Sequence, residues 1–260
     1  MTDSNENRID NCVKEDMNFI PKIIHQIWIG PKKRPDIWMD TFKIDYIKKN
    51  PDYKYILWNE ENIDPLFEDF PIYKQVYNLE DSYNGKSDIL RYLILYVHGG
   101  IYVDADSVWV NDKSLDDLLE VVNESLVFVA KIPDYETITK KSKKFLNTIT
   151  GGVMGSSKNN SLMKLLIEGI ESYIIRKWQN NKIAHVDYNR KKKIHGPCQL
   201  IGPLYLNKIL KDKNITIFPS KYFYPILWHG ITDPQMHKKM DIPKESYMFQ
   251  YGYTTNNFSF

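Results

Sequence analysis

Two carboxylates one residue apart, Asp104 and Asp106, follow the short β-prone run Ile101-Tyr102-Val103, and an acid and a base one helical turn apart, Asp88 and Arg91, precede it. Carboxylates leaving the end of a buried strand are hard oxygen ligands, suited to Mg²⁺ or Mn²⁺, ions that keep open positions for water and substrate phosphates. The planar fork of a neighbouring arginine suits a phosphate or a sugar hydroxyl. An Asp-x-Asp triplet alone is weak evidence, because chance supplies roughly one or two in a chain with this many acids. The bland alternative is a solvated acidic loop beside a surface ion pair.

The elements that must position these groups are a helix, a stop and a strand. Ile89, Leu90, Leu93, Ile94 and Val97 recur at helical spacing, and Ser87 stands where an N-cap hydroxyl would accept orphan amide hydrogen bonds. Gly99 and Gly100 supply the left-handed residue that ends the helix, and the strand then stops at Asp104. In an open α/β sheet, that end of a strand is where ligands bind.

Upstream, the β-branched run from Lys22 to Gly30 reads as a buried strand. Trp28 near its end can stack a nucleobase or serve as a core aromatic. Residues 36 to 49 are predicted helical, with Ile37, Phe42, Ile44 and Ile47 as the buried positions, and Asn50-Pro51 breaks the run before a second strand over Tyr53 to Glu60. Strand, helix and strand with short connections imply a βαβ unit and a parallel sheet.

Downstream, the reading is a short strand at 107–110, a helix at 115–122 and a strand at 126–130. Residues 145–154 form a strand interrupted by Gly151 and Gly152, where backbone approaches a ligand closely or a bulge serves packing. An amphipathic helix from Ser161 to Trp178 buries Leu162, Leu165, Leu166, Ile170, Tyr173 and Ile174. A helix follows from Pro203 through Leu210, then a strand at 215–218. The closing segment, rich in Tyr, Thr and Asn, carries no helix signal and either closes over a sugar or packs against the body.

Composition bounds the rest. With 35 basic and 33 acidic residues among 260, the net charge of +2 argues against a nucleic-acid binder held by a broad basic face. The lone basic run Arg190 to Lys193 reads as a solvated loop. Two cysteines, Cys12 and Cys198, exclude a disulfide framework and a cysteine-based zinc cluster. His25 and His98 read as structural hydrogen-bonding groups. Residues 1–18 are a polar, flexible arm without a signal peptide's apolar core, and no run is long enough for a membrane span, so the expectation is a soluble or cytoplasmic chain. Residues 19–260 are expected to form one α/β domain, a single mixed, mostly parallel sheet flanked by helices.

With these pieces placed, the chain resembles DXD-motif glycosyltransferases of the glycosyltransferase family 32 type and, more distantly, the glucosyltransferase domain of large clostridial toxins. The likeness is carried by I-P-K-I-I-H-Q-I-W-I-G, P-D-Y-K-Y-I-L-W-N-E-E-N-I, S-D-I-L-R-Y-L-I-L-Y-V-H-G-G-I-Y-V-D-A-D, V-M-G-S-S-K, I-G-P-L-Y-L and F-Y-P, in one order from about Ile20 to Tyr224. The resemblance implies a GT-A fold, a UDP- or GDP-sugar donor, a glycan or other hydroxyl acceptor, Mn²⁺ or Mg²⁺, and retention of anomeric configuration. By the same resemblance, Trp28, Asp88, Arg91 and Asp104 would bind the donor, and Ile27, Gly151 and Gly152 are candidate donor-binding residues beside them. Asp106, Asp104 and Asn256 would hold the metal, and Asp88, Arg91, Asp104 and Asp106 would carry catalysis.

The sequence departs from the family where Thr150, Gly151 and Gly152 replace an expected Asn, and where Tyr247 to Asn256 replaces a His- and Trp-rich end. Two rivals stand beside this reading. One is a non-catalytic sugar-nucleotide-binding protein. The other is a phosphatase of the haloacid-dehalogenase type, whose Asp-x-Asp normally opens the domain instead of following two strands.

Overall fold

The computed structural model describes residues 19–132, 148–179, 201–210, 212–227 and 229–260, with side chains of 173–179 excepted. The arm at 1–18, the basic run, both cysteines, and the inward positions assigned to Tyr173 and Ile174 lie outside the described residues.

The apolar run after Pro21 is strand β1 (Ile23–Ile27). It is flanked in parallel by β2 (Lys54–Trp58) and by β3 (Gly100–Val103). Strands β5 (Val127–Lys131), β6 (Ile149–Ser156) and β7 (Thr216–Phe218) complete a six-stranded sheet in the order β2-β1-β3-β6-β5-β7. Only β6 runs against the others. The fold is thus mixed α/β with one main, mostly parallel sheet flanked by helices.

Strand alternation divides the core. After helices α1 (Asp36–Asp40), α2 (Ile47–Lys49) and α3 (Pro71–Leu79) comes α4 (Tyr83–His98), and α5 (Asp116–Leu119) precedes α6 (Ser161–Gln179). Tyr102, Val127 and Val129 face a cluster built on Ile89, Leu90, Leu93 and Ile94 of α4 and on Met163, Leu166, Ile167 and Ile170 of α6. Ile101, Val103, Phe128 and Val153 face the other side, against Phe42 and Tyr46. Each fully buried aliphatic side chain on α4 contributes about 1.5–3 kcal/mol relative to exposure.

A small second sheet joins β4 (Ser107–Trp109) to β8 (Met248–Gln250). The closing segment, read as lacking a helix, therefore contributes a strand. The run expected at 107–110 leaves the main sheet to pair with it.

Three local expectations are corrected. Ser87 does not cap α4: the helix begins a turn earlier, and Ser82 accepts the amide of Gly85 at 3.0 Å. In the run 36–49, Ile37 and Ile44 are exposed at 38% and 52%, while Trp38, Met39, Phe42 and Tyr46 are buried. A π-helical stretch, Thr41–Tyr46, lies between short α-helical turns at Asp36–Asp40 and Ile47–Lys49, so the aromatic residues at four-residue spacing take the inner face in place of the isoleucines. In α6, Leu165 is 37% exposed and Met163 and Ile167 are buried instead.

His25 and His98 serve the fold. The His25 Nε2 lies 2.8 Å from the Gly99 carbonyl oxygen, and Nδ1 accepts the Trp58 indole N–H at 3.1 Å. The His98 ring lies tilted beside both, with centroids 6.1 Å from His25 and 5.2 Å from Trp58.

Candidate functional site

Asp88, Arg91, Asp104 and Asp106 line one cleft of about 710 Å³ at the end of β3, together with Ile27, Trp28 and residues of the C-terminal segment. Asp88 and Arg91 reach it from α4, where residues three apart share one face of the helix.

Arg91 is a nearly sealed cation. Its Nη2 lies 3.1 Å from Asp88 Oδ1 and 3.3 Å from Asp104 Oδ1, and its guanidinium sits over the Tyr102 ring at 4.6 Å. Burial alone would lower its pKa, but Tyr102, Asp88 and Asp104 outweigh that and hold it firmly protonated. Its Nε has no hydrogen-bond partner among the described residues. Burial pushes the Asp88 carboxyl up to about 7, with Arg91 opposing and the charges of Asp104 and Glu80 adding.

The aspartates are oriented from several directions. Asp104 Oδ1 accepts the Tyr102 hydroxyl at 2.8 Å, and the Asp104 amide donates to the Gly152 carbonyl at 2.8 Å. Asp106 Oδ2 accepts the amide of Tyr253 at 2.7 Å. The remaining oxygens, Asp104 Oδ2 and Asp106 Oδ1, both accept from Gln250 Nε2, at 3.2 and 3.1 Å. Burial and the charge of Asp104 push Asp106 up to about 6 against the bonds from Tyr253 and Gln250. Two hard carboxylate oxygens converging on one point, in surroundings that disfavour uncompensated negative charge, fit a divalent cation.

Of the two readings of Gly151 and Gly152, close approach to a ligand or a bulge that serves packing, the register of β5 on β6 fits the bulge. Both glycines are buried, fall at a register shift between β5 and β6, and are not among the residues lining the cleft. A Cβ on Gly151 would meet Arg91 Nη1 at 2.6 Å, and one on Gly152 would meet Asp104 Oδ2 and the Tyr224 hydroxyl at 2.6 Å. They make room for the site's own side chains.

Asn256 is likewise placed elsewhere. Its amide donates to the Tyr251 carbonyl at 2.7 Å and its Oδ1 accepts from Gly230 at 2.8 Å, bonds that pin the tail, and it does not line the cleft. Trp28 does line it, its indole N–H on the Lys32 carbonyl and its ring edge-to-face with Tyr253 at 5.2 Å. The tail both borders the cleft, through Tyr253, Thr254 and Thr255, and packs Phe258 and Phe260 on Trp38.

Sequence reasoning missed Tyr102 as a partner of Asp104, Gln250 as a partner of both aspartates, and Tyr253 as a partner of Asp106. Alternation through Tyr247 to Tyr251 was the available signal for a strand there, but not for its destination.

The fold is of the GT-A type, with an acidic cleft at the end of the central strand β3. Residues 35–127 match the family described as glycosyltransferase sugar-binding region containing DXD motif, which bears out the resemblance read from the motifs. Inositol phosphoceramide mannosyltransferase 3 of Schizosaccharomyces pombe is 40% identical over 101 residues, covering 38% of this chain and 27% of that protein. An uncharacterized glycosyltransferase of Acanthamoeba polyphaga mimivirus is 29% identical over 154 residues, 58% of this chain and 56% of its own length. The initiation-specific alpha-1,6-mannosyltransferase of Candida albicans is 32% identical over 121 residues, 40% and 30% of the respective chains. The matches thus span between about a quarter and just over half of these relatives. In fold, the catalytic domain of alpha-toxin from Clostridium novyi covers 93% of this chain and 80% of its own with a TM-score of 0.54 at 11% identity. No helix among the described residues is long and apolar enough to cross a membrane.

Proposed function

We propose that residues 19–260 form one catalytic domain that transfers a hexose or N-acetylhexosamine, with retention, from a UDP- or GDP-sugar to a glycan or other hydroxyl acceptor, using a divalent cation, Mn²⁺ or Mg²⁺. The observation that carries this reading is the convergence of Asp104 and Asp106 with the Asp88–Arg91 pair on one cleft. The names of the relatives favour mannose as the sugar.

Asp104 and Asp106 would hold the cation, which when bound supplies positive charge against the departing nucleoside diphosphate. Arg91, held by two carboxylates and an aromatic face, offers the phosphate or a sugar hydroxyl a fixed cation that need not reorganise during the reaction. Asp88 accepts from sugar hydroxyls in its ionised form. Trp28 offers its ring to the base. Tyr253 to Thr255 at the cleft border help exclude water, so that transfer competes with hydrolysis of an oxocarbenium-like sugar. Among the described residues, no carboxylate outside this cluster lines the cleft to serve as a nucleophile, which favours same-face attack by the acceptor hydroxyl.

The test is a panel of sugar nucleotides, GDP-mannose and UDP-glucose among them, with Mn²⁺, following release of nucleoside diphosphate. Turnover of one donor, lost on chelation and in Asp106→Ala, supports the reading. Metal-dependent binding without turnover, in the presence of inositol-containing and oligomannose acceptors, would favour a sugar-nucleotide-binding protein instead.

A further inference from the structure

The two aspartates each have one oxygen spoken for and one left over. Asp104 Oδ1 is taken by Tyr102 and Arg91, and Asp106 Oδ2 by the amide of Tyr253. The oxygens left, Asp104 Oδ2 and Asp106 Oδ1, meet at a single nitrogen, Gln250 Nε2. One amide with two N–H groups therefore occupies the point between two carboxylates where positive charge is most favourable.

Gln250 is fixed there by the backbone. It pairs with Ser107 in the β4–β8 register, immediately after the acidic turn, and the next amide, that of Tyr251, donates to the Asp106 carbonyl at 2.9 Å. Phe249 and Tyr251 anchor the strand in the small aromatic core, so alternation turns Gln250 to the cleft. The Cα cannot leave, but the terminal torsion of a glutamine is broad and roughly two-fold, so the amide can exchange its nitrogen for its oxygen with little change in shape. Hard divalent cations accept amide carbonyls as ligands. Among the described residues, no group of three His, Cys, Asp or Glu assembles here or elsewhere.

We propose that Gln250 is the third protein ligand of the divalent cation: its amide caps the two aspartates through N–H when the cation is absent and turns to present Oε1 when it is bound. This rests on the metal-dependent reading above. Two carboxylates and a neutral amide together match the charge of a divalent ion without excess.

The experiment is calorimetric titration of Mn²⁺ into the full chain, with and without UDP or GDP, for the wild type, Gln250→Leu, Gln250→Glu and Asp106→Asn. Melting in EDTA and in Mn²⁺ gives a second readout through ligand-linked stabilisation. Gln250→Leu should bind Mn²⁺ about tenfold more weakly, and Gln250→Glu about tenfold more tightly with a larger Mn²⁺-induced rise in Tm, since ligand charge tunes affinity. Equal or tighter binding by folded Gln250→Leu overturns the proposal, because the amide would then only compete for the aspartates. Should Gln250→Leu fail to fold, Gln250→Glu decides: unchanged or weaker binding overturns it. Absence of Mn²⁺ binding by the wild type under both conditions overturns the metal-dependent reading and this proposal together, whereas loss confined to Asp106→Asn with both Gln250 variants at wild-type affinity overturns this proposal alone.

Discussion

Arg91 Nη1 lies 2.6 Å from the point that a Cβ on residue 151 would occupy. The buried guanidinium is therefore seated against a bare backbone, and a single methyl group at Gly151 would push it from Asp88 and Asp104. Gly151→Ala should cost about 1–3 kcal/mol in stability, the usual range for overpacking. Donor turnover should fall by an order of magnitude or more. Thermal melting and nucleotide release check it together; full turnover would mean that Arg91 has room to spare or is not needed.

Removing the cation itself should be harsher on the fold. Arg91→Met leaves the buried Asp88 and the half-buried Asp104 beside no arginine charge, and breaking a buried pair such as Arg91–Asp88 costs about 3–5 kcal/mol. Asp88→Asn removes a carboxyl already pushed up to about 7, so it should be milder in denaturant unfolding at pH 7. The ordering of the two variants is the critical result.

Asp106→Asn should separate chemistry from folding. The amide keeps the shape, its oxygen can still accept from Tyr253, and a carboxylate that burial disfavours is gone. The midpoint of unfolding should stay within a few degrees of the wild type. Turnover should drop by about 10²-fold or more, the scale on which loss of electrostatic stabilisation acts.

Trp28→Ala tests the base-facing ring. Stacking between a base and an aromatic side chain is worth about 1–3 kcal/mol, so KM for the donor should rise about tenfold or more with a smaller change in kcat. An unaltered KM would reassign Trp28 to packing against Tyr253.

His25 should make the protein acid-sensitive. Burial, reinforced slightly by His98 and opposed by the Gly99 carbonyl, lowers its pKa from 6.5 to about 3. The unfolded chain binds this proton near pH 6.5 and the folded chain only near pH 3. Stability from this group is thus complete above 6.5 and declines by about 1.4 kcal/mol per pH unit below it. His98 and His237 are also held down by burial, so His25→Gln should make the decline shallower without abolishing it. Denaturant titrations at pH 7, 6, 5 and 4 measure the slopes, and identical slopes would remove His25 from the account.

Much of the site was legible because its central unit is local. Apolar spacing from Ile89 to Val97, the glycine stop and the β-prone run to Asp104 are properties of neighbouring residues, and they place four charged groups at the end of one strand. The position of Ser82 as the cap was less legible, since Ser82 and Ser87 both precede helical residues and only the hydrogen bond from Gly85 distinguishes them. Likewise, isoleucines at 37 and 44 satisfy a helical period as well as the aromatics do, until the π-helical turn rotates the face.

By itself, the order of residues determined the helix–glycine–strand unit, the Asp-x-Asp exit and the sheet-building runs, because side-chain periodicity and glycine conformation act over a few residues. Only the tertiary structure decided that Gln250 and Tyr253, 144 and 147 residues from Asp106, would complete the acidic pair, that Asn256 would hold the tail, and that Gly151 and Gly152 would yield their space to Arg91 and Asp104. Those outcomes depend on strand pairing and close packing between distant segments, where a side chain's partner is set by the register of β4 on β8 and of β5 on β6 and not by anything written beside it in the chain.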